Sequence, residues 1–412
     1  MTATVHLGAD RVGTLEPNET GGAAFRFDPA YLGRPDRPLL GRHFEELELA
    51  ADRDFFSPGG QLHAFFRNAL PEGALRKWVQ EQLGRGQDGE YAMLVQLGED
   101  LPGALRVVEG LDATETSLSR PEPSAPASPT KVGVRFSLAG IQLKASVIAG
   151  DDRVTLPLRD EAGDWIAKFP SARHDALPEN EFSVLRWARR VGLDVPEHRL
   201  FPVDEIQNLP SGFPREGRAL LVRRFDRAAG ARIHQEDFAQ IFNLQPEEKY
   251  VAGGLPDFVH YGAIAAIVAR HAGEADLEEA LRRLVFSVLC GNADAHCKNW
   301  AFIYRDRRRA RLSPLYDVVA TVAYEGMDSD LPLLWLPSND PWHAPPTPLA
   351  AIGADHIGAM ARFLGLDERT WVDSLRGFAS DARRTWDALV DEGEVPDFVV
   401  QAVRAHLALV SL

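Results

Sequence analysis

The chain has 412 residues, 45% of them hydrophobic, enough for two or three domains with cores of their own. Its 45 basic against 60 acidic residues give a net charge of −15, which argues against unaided nucleic-acid binding. No apolar run reaches membrane-spanning length, the N-terminus has Asp10 among its first ten residues and no signal-peptide pattern, and two cysteines, Cys290 and Cys297, cannot build a disulfide framework; the expectation is cytoplasmic, in a reducing compartment.

The cations are lopsided: six Lys, at 77, 131, 144, 168, 249 and 298, against 39 Arg. A GC-rich coding sequence explains the imbalance. Its corollary is that a lysine kept in such a chain is a candidate for a role a planar guanidinium cannot fill, such as a point charge on phosphate.

Residues 1–112 are expected to form a first unit, with strands over 4–7 and 24–27 and helices over 61–68 and 74–83. The stretch 113–130 is rich in Ser, Pro, Glu and Ala without periodicity and reads as a linker. A second unit, 131–225, opens with Ser137-Leu-Ala-Gly140-Ile-Gln142-Leu-Lys144 between strand-like runs. Gly140 would let backbone amides approach a phosphate, although the same run also reads as an ordinary hairpin. It is neither a Walker loop nor Gly-x-Gly-x-x-Gly.

Alternation over 164–170 sends Trp165, Ala167 and Phe169 to one face of a strand and Lys168 to the other. A lysine so flanked is costly to bury unless it meets an anion, with an edge-strand lysine reaching water as the alternative. A helix over 180–191 follows, with Phe182, Leu185 and Ala188 on one stripe and Glu181 in its first turn, where it could pair with Lys168. The apolar run 219–225 reads as a buried strand offering backbone groups to an adenine ring.

The third unit, 226–412, is mostly helical. Leu277, Leu281, Leu284, Val285, Val288 and Leu289 recur at helical spacing over 276–290, with Asp276 and Glu279 as an expected capping pair and Gly291 as the terminator. Then come Cys290-Gly-Asn-Ala-Asp294-Ala-His296-Cys-Lys298-Asn299-Trp300, a strand over 300–304, a polar turn, a strand over 311–315, and Asp317 in Ser-Pro-Leu-Tyr316-Asp317. Residues 340–348 read as a Pro-rich surface loop, and 356–364, 370–378 and 395–409 as helices without assigned chemistry.

Asp followed five residues later by Asn is the spacing of a protein-kinase catalytic loop, in which the Asp accepts the hydroxyl proton and the Asn holds magnesium. Asp317 would be the second metal ligand. Isolated Asp and Asn residues often merely cap turns. Here the helix, loop, hairpin and second Asp follow in the order kinases use, and the order favours phosphoryl transfer. A metal or thiol site at Cys290, His296 and Cys297 lacks a closed four-ligand set.

Ser137-x-x-Gly140-x-Gln142-x-Lys144, Lys168, Asn180-Glu181, Arg224-Phe225-Asp226-Arg227, 234–240 (His-Gln-Glu-Asp-Phe-Ala-Gln), Gly291-Asn-x-Asp294-x-His296-x-Lys298-Asn299 and Pro314-x-Tyr316-Asp317 together resemble the HipA family, the serine/threonine kinase toxins of bacterial toxin–antitoxin modules. Leu70-Pro-Glu-Gly73 and Gly98-Glu-Asp-x-x-Gly103-Ala-Leu105 are similar to that family's N-terminal domain, so the resemblance spans nearly the whole chain. It implies an α+β, bilobal protein-kinase-like fold of the HipA type, with an extra N-terminal α+β domain and a mostly helical C-terminal lobe.

It further implies ATP and Mg2+ as cofactors, Asp294 as proton acceptor, Asn299 and Asp317 as metal ligands, and Lys168 as phosphate-binding lysine. Ala139, Gly140, Ile141, Gln142, Leu143 and Lys144 would form the nucleotide loop, Val222, Arg223, Arg224 and Phe225 the adenine edge, and His296 and Lys298 would sit beside the phosphates with Tyr316 close by. Ser137 would be the autophosphorylated serine whose modification displaces the loop and silences the enzyme. The implied partners are a helix-turn-helix, HipB-like antitoxin, through which alone DNA is reached, and a protein substrate; family targets include aminoacyl-tRNA synthetases. Arg223 stands where many members are acidic, and 321–340 departs from the family pattern. Two other readings are a small-molecule kinase of related fold and a catalytically silent co-repressor; the latter would lack a base or a metal ligand, and this chain has both.

Overall fold

The computed structural model describes residues 1–47, 52–83, 89–110, 143–150, 153–157, 163–228, 230–249, 256, 258–338 and 345–412. Ser137, Ala139, Gly140, Ile141, Gln142 and the expected linker lie outside them.

The first sheet is antiparallel, in the order β4-β3-β2-β1-β5, from β1 (Ala3–Leu7), β2 (Asp10–Pro17), β3 (Ala23–Phe27), β4 (Asp54–Phe55) and β5 (Leu105–Glu109). Alternation drives it: Ala3, Val5 and Leu7 turn inward, as do Phe25 and Phe27, and Phe25 packs against Phe44, Phe55 and Phe66. The helices Ala64–Asn68 and Gly73–Leu83 cover this face, close to expectation.

The second sheet contains β6 (Lys144–Ala149), β7 (Val154–Thr155), β8 (Trp165–Lys168), β9 (His198–Pro202), β10 (Ile206–Gln207) and β11 (Arg218–Arg223), in the order β10-β7-β6-β8-β11-β9. Strand β11 is buried on both faces: Ala219 and Leu221 join the core shared with the first sheet, Leu220 and Val222 the core of the helical part. The helix Leu177–Arg190 lies on the latter side. It begins three residues earlier than expected, so Glu181 falls in its second turn, and its buried stripe is Val184, Leu185, Trp187 and Ala188, with Phe182 half-buried. Trp187 stacks near Trp386, 4.7 Å between centroids, and its Nε1 donates to the Ala382 carbonyl.

A short ribbon, β12 (Arg227–Ala228) with β13 (Ala231–Arg232), leads into a third sheet of β14 (His234–Asp237), β15 (Ala301–Tyr304) and β16 (Arg311–Leu312). The hairpin β15–β16 is shorter than expected, and β14 joins it as a partner the local pattern did not announce. The helix Glu274–Cys290 ends as expected at Gly291, at φ 69°. A β-carbon there would lie 2.3 Å from Val322 Cγ2, so glycine is required twice over. The expected Asp276–Glu279 capping pair is corrected: Gly273 occupies the cap position, Asp276 accepts from the Arg311 guanidinium and the Leu312 N–H, and Glu279 accepts from Arg283. The helix expected over 370–378 runs Glu368–Asp391, because Leu375, Ala379, Ala382, Trp386 and Leu389 continue one buried stripe past Gly377.

The N-terminal unit is fastened to the rest by buried charge. Arg224 makes a two-bond fork with Asp226 at 2.9 Å and reaches Asp100, which also takes Arg227; the Gly103 N–H donates to Asp226. Opposition from Arg224 and Arg227 holds the Asp226 carboxyl well below its usual range although burial alone would raise it. A second tie runs from Glu236 on β14, which accepts from the Arg42 backbone N–H and the Tyr304 hydroxyl.

Candidate active site

A cavity of about 990 Å3 opens between the second sheet and the helical part, with Asn68, Glu72 and Pro102 of the N-terminal unit in its wall. Leu143, Lys144, Lys168, Val222, Arg223, Arg224, Phe225, Asp294, His296, Lys298, Asn299, Tyr316 and Asp317 all line it.

Lys144 and Lys168 stand directly opposite each other on β6 and β8. Two cations so placed repel, and both are buried. Carboxylates offset this: the Lys168 ammonium is 2.5 Å from Glu181 Oε1 and bonded to Asp317, and Lys144 Nζ lies 3.5 Å from Asp317 Oδ2. Burial works to discharge Lys168, but Asp317 and Glu181 outweigh it and keep the ammonium above its usual range; burial likewise works to neutralise Asp317, and Lys144 and Lys168 hold it ionised. Asp317 itself sits at φ 52°, a left-handed conformation that Asp tolerates better than most residues and that often marks a functional position. Asn180, beside Glu181, clasps residue 320 with both ends of its amide, accepting from the Ala320 N–H at 3.0 Å and donating to its carbonyl at 3.1 Å. The helix and the Asp317 segment are thereby kept in register.

The loop after Gly291 is anchored from beneath. The Ala293 N–H donates to the Thr321 hydroxyl, which donates to the Gly291 carbonyl; the Ala295 carbonyl accepts from Tyr261 and Trp300. The Asp294 N–H donates to Asn292 Oδ1, and the Asp294 side chain, 45% exposed, faces the cavity. Asn299 Nδ2 donates to the Asp294 carbonyl at 2.5 Å and lies 3.5 Å from the Asp317 carbonyl, so one amide spans the two segments whose spacing drew attention in the sequence. His296 Nε2 is 3.9 Å from Asp294 Oδ1, and burial pushes the ring down to about 4, so it is neutral at physiological pH.

At the expected adenine edge, the Arg223 and Arg224 N–H groups donate to the carbonyls of Glu197 and Asp164, and their guanidinium groups turn to Glu197 and to Asp226 and Asp100. Those two N–H groups are therefore not the ones offered to the cavity. The Phe225 ring packs 5.5 Å from Tyr316, whose hydroxyl donates to the Lys298 carbonyl.

Lys298, expected beside the phosphates, lines the cavity next to the N-terminal unit. Its ammonium is held by Glu72 at 2.6 Å and the Asn68 carbonyl at 3.2 Å, and Lys249 takes the other Glu72 oxygen at 2.6 Å. Burial would raise the Glu72 carboxyl, but Lys298 and Lys249 bring it down to about 2. Glu72, Lys249 and Thr321 were not singled out as site residues, and Glu72 lies in the Leu70–Gly73 motif noted only for resemblance. Lysine scarcity was the available signal: of the six lysines, five (77, 144, 168, 249 and 298) line this cavity and the sixth, Lys131, lies outside the described residues.

Both thiols are buried and pushed up by burial, so neither Cys290 nor Cys297 is activated as a nucleophile or ligand. Among the described residues no helix is long and apolar enough to cross a membrane.

Comparison with known proteins agrees with the arrangement. The HipA-like C-terminal domain profile matches residues 136–386, and the HipA N-terminal domain profile residues 3–108. "Putative kinase Y4dM" of Sinorhizobium fredii is 35% identical over 99% of this chain and 97% of its own length. The "Serine/threonine-protein kinase toxin HipA" of Shewanella oneidensis is 26% identical over 92% of this chain and 87% of its own. In fold, the chain superposes with a TM-score of 0.69 at 22% identity on a chain of the Shewanella oneidensis MR-1 complex of HipA, HipB and operator DNA, covering 99% of this chain and 96% of that one. The chain belongs to the HipA family, and its fold is the α+β, protein-kinase-like fold of that family.

Proposed function

We propose that this protein is an ATP-dependent serine/threonine protein kinase, the toxin of a toxin–antitoxin module, silenced by autophosphorylation at Ser137. The observation that carries the reading is the convergence of Asp294, Asn299, Asp317, Lys168 and Glu181 in one cavity, with Lys168 already paired to Glu181 as phosphoryl transfer requires.

Asp294 accepts the proton of the attacking hydroxyl. It is ordered by Asn292 below and Asn299 beside it, and it faces the cavity where an acceptor would enter. Lys168 and Lys144 offer positive charge to the phosphates, and Tyr316 and Phe225 an apolar platform to the base. Asn299 Oδ1 and the Asp317 carboxylate are hard oxygen donors, a set that fits Mg2+, which takes one or two protein oxygens and draws its remaining ligands from phosphate and water. Such an ion would neutralise charge developing on the transferred group. Ala139 to Lys144 are proposed as the nucleotide loop.

The likeness to HipA proteins, one of them in a complex with HipB and operator DNA, supports a HipB-like helix-turn-helix antitoxin as partner, with DNA reached through it and not by this acidic chain alone. Cytoplasmic residence belongs to the same reading, as do a protein substrate of the aminoacyl-tRNA synthetase kind and a division at residues 112, 130 and 225; the gap between the two profile spans, 3–108 and 136–386, supports the break between the N-terminal unit and the rest. The test is incubation of purified protein with ATP and Mg2+, followed by mass spectrometry. Phosphate on Ser137 in the wild type and none in Asp294→Asn is expected; an Asp294→Asn protein that labels itself or a cell extract as well as the wild type would sink the assignment.

A further inference from the structure

We propose that Glu72, a residue of the N-terminal unit, is a positioning residue for the catalytic turn: by pairing with Lys298 and Lys249 it sets the Asp294–Asn299 geometry, so that the N-terminal unit completes the active site. The inference rests on the kinase reading above and adds to it a residue from outside the two lobes.

Four observations carry it. Glu72 lies in the cavity wall, between the helices Ala64–Asn68 and Gly73–Leu83, and is followed by Gly73 at φ 57°, a left-handed turn that swings the chain back at this point. Its two oxygens each take a lysine at 2.6 Å, and both lysine side chains are nearly enclosed, 4% exposed for Lys298 and 8% for Lys249. Lys298 immediately precedes Asn299, the residue whose amide joins the carbonyls of Asp294 and Asp317. The same turn is also held at its backbone by Tyr316, which donates to the Lys298 carbonyl at 2.8 Å.

The turn Cys297–Asn299 is thus held at its side chain by Glu72 and at its backbone by the neighbour of Asp317. Without the Glu72 charge, Lys298 keeps the Asn68 carbonyl but loses its counter-ion, and a buried ammonium seeks another. Asp237 is one anion within its influence: burial raises that carboxyl to about 6 and Lys298 opposes the shift. A move toward Asp237 disturbs the turn that orders the base, and small displacements at a phosphoryl-transfer site are costly in rate.

The test compares wild type, Glu72→Gln, Glu72→Asp, Lys298→Met and the Glu72→Gln/Lys298→Met double variant in steady-state phosphoryl transfer, with Glu99→Gln as control. The Glu99 carboxylate forks with the Arg106 guanidinium and does not line the cavity, so this variant is expected to be indistinguishable from wild type. Glu72→Gln should lower kcat by about tenfold or more while KM for ATP changes by less than about threefold, the pattern of a lost transition-state arrangement. Glu72→Asp should recover part of kcat, and the double variant should be no worse than Lys298→Met, since one link is being cut twice. If Glu72→Gln folds poorly, Lys298→Met cuts the same link from the other side and must show the same kcat-specific loss. Glu72→Gln within about twofold of an active wild type, a loss confined to KM, or singles whose effects multiply would overturn the proposal alone. A wild type that transfers no more phosphate than Asp294→Asn would overturn the kinase reading and this inference with it.

Discussion

The Lys168 ammonium bridges Glu181 on the helix Leu177–Arg190 and Asp317 on the segment after the third sheet, joining strand, helix and segment through one nitrogen. Its position follows from period-two alternation on β8, which buries Trp165 and Ala167 on one side and leaves Lys168 on the other.

Lys168→Met should therefore do two things. Phosphoryl transfer should fall by about 100-fold or more through loss of the phosphate cation. Stability should fall by about 3–5 kcal/mol, because the enclosed Glu181 carboxylate loses its partner and Asp317 is left with Lys144 alone. Glu181→Gln should be milder in stability, since the amide still offers an acceptor to Lys168. Urea unfolding with a phosphorylation assay checks both, and a Lys168→Met protein with wild-type activity would rule out the phosphate role.

At Gly291, substitution by alanine meets both a left-handed backbone and the Val322 side chain. A loss of about 1–3 kcal/mol is expected from overpacking, with more from the backbone. Val322→Ala in the same molecule should return part of it, leaving mainly the backbone component. Unfolding midpoints of the two single variants and the double variant measure this coupling; strict additivity would show that Val322 is not the obstacle.

The pH dependence of stability should contain a component from Glu236, whose carboxyl burial raises to about 8 against the opposing help of Tyr304 and Arg42. The folded state then holds a proton that the unfolded chain, near 4.5, releases earlier. The stabilisation is complete below about pH 4.5 and is lost as pH rises through about 8, so stability falls with rising pH across that window. Glu236→Gln, neutral throughout, should flatten the slope between those limits relative to wild type. Parallel curves for the two proteins would show that Glu236 titrates normally.

Asp100 accepts from Arg224 and Arg227, each at 2.9 Å, and its side chain is 1% exposed. Asp100→Ala should cost about 3–5 kcal/mol by leaving buried guanidinium charge in excess. Hydrogen exchange should show the loss first at the seam, in 100–104 and 224–227, before either core opens. Uniform loss of protection throughout would mean that the N-terminal unit and the lobes unfold together.

Much of this site was legible because short-range periodicity determines it. Alternation isolated Lys168, helical spacing located the Glu274–Cys290 helix and its Gly291 stop, and the five-residue interval from Asp294 to Asn299 survives as a direct hydrogen bond. What escaped was settled by tertiary partners. Asp276 and Glu279 had the spacing of a cap but were claimed by Arg311 and Arg283. The pairing of Lys298 with Glu72 joins residues 226 positions apart, a distance over which no local pattern speaks. The register of β14 against β15 was hidden for the same reason.

The concentration of lysine around one cavity gives this molecule an unusual chemical surface. Its outer cations are overwhelmingly guanidinium groups, which amine-directed acylating reagents leave alone, whereas Lys144, Lys168, Lys249 and Lys298 are buried and Lys77 stands exposed near the mouth. A nucleotide-shaped acylating probe that enters the cavity would meet most of the protein's side-chain amines in one place. Among the described residues every lysine lines this cavity, so protection of the exposed Lys77 amine from acylation would report on who occupies the site.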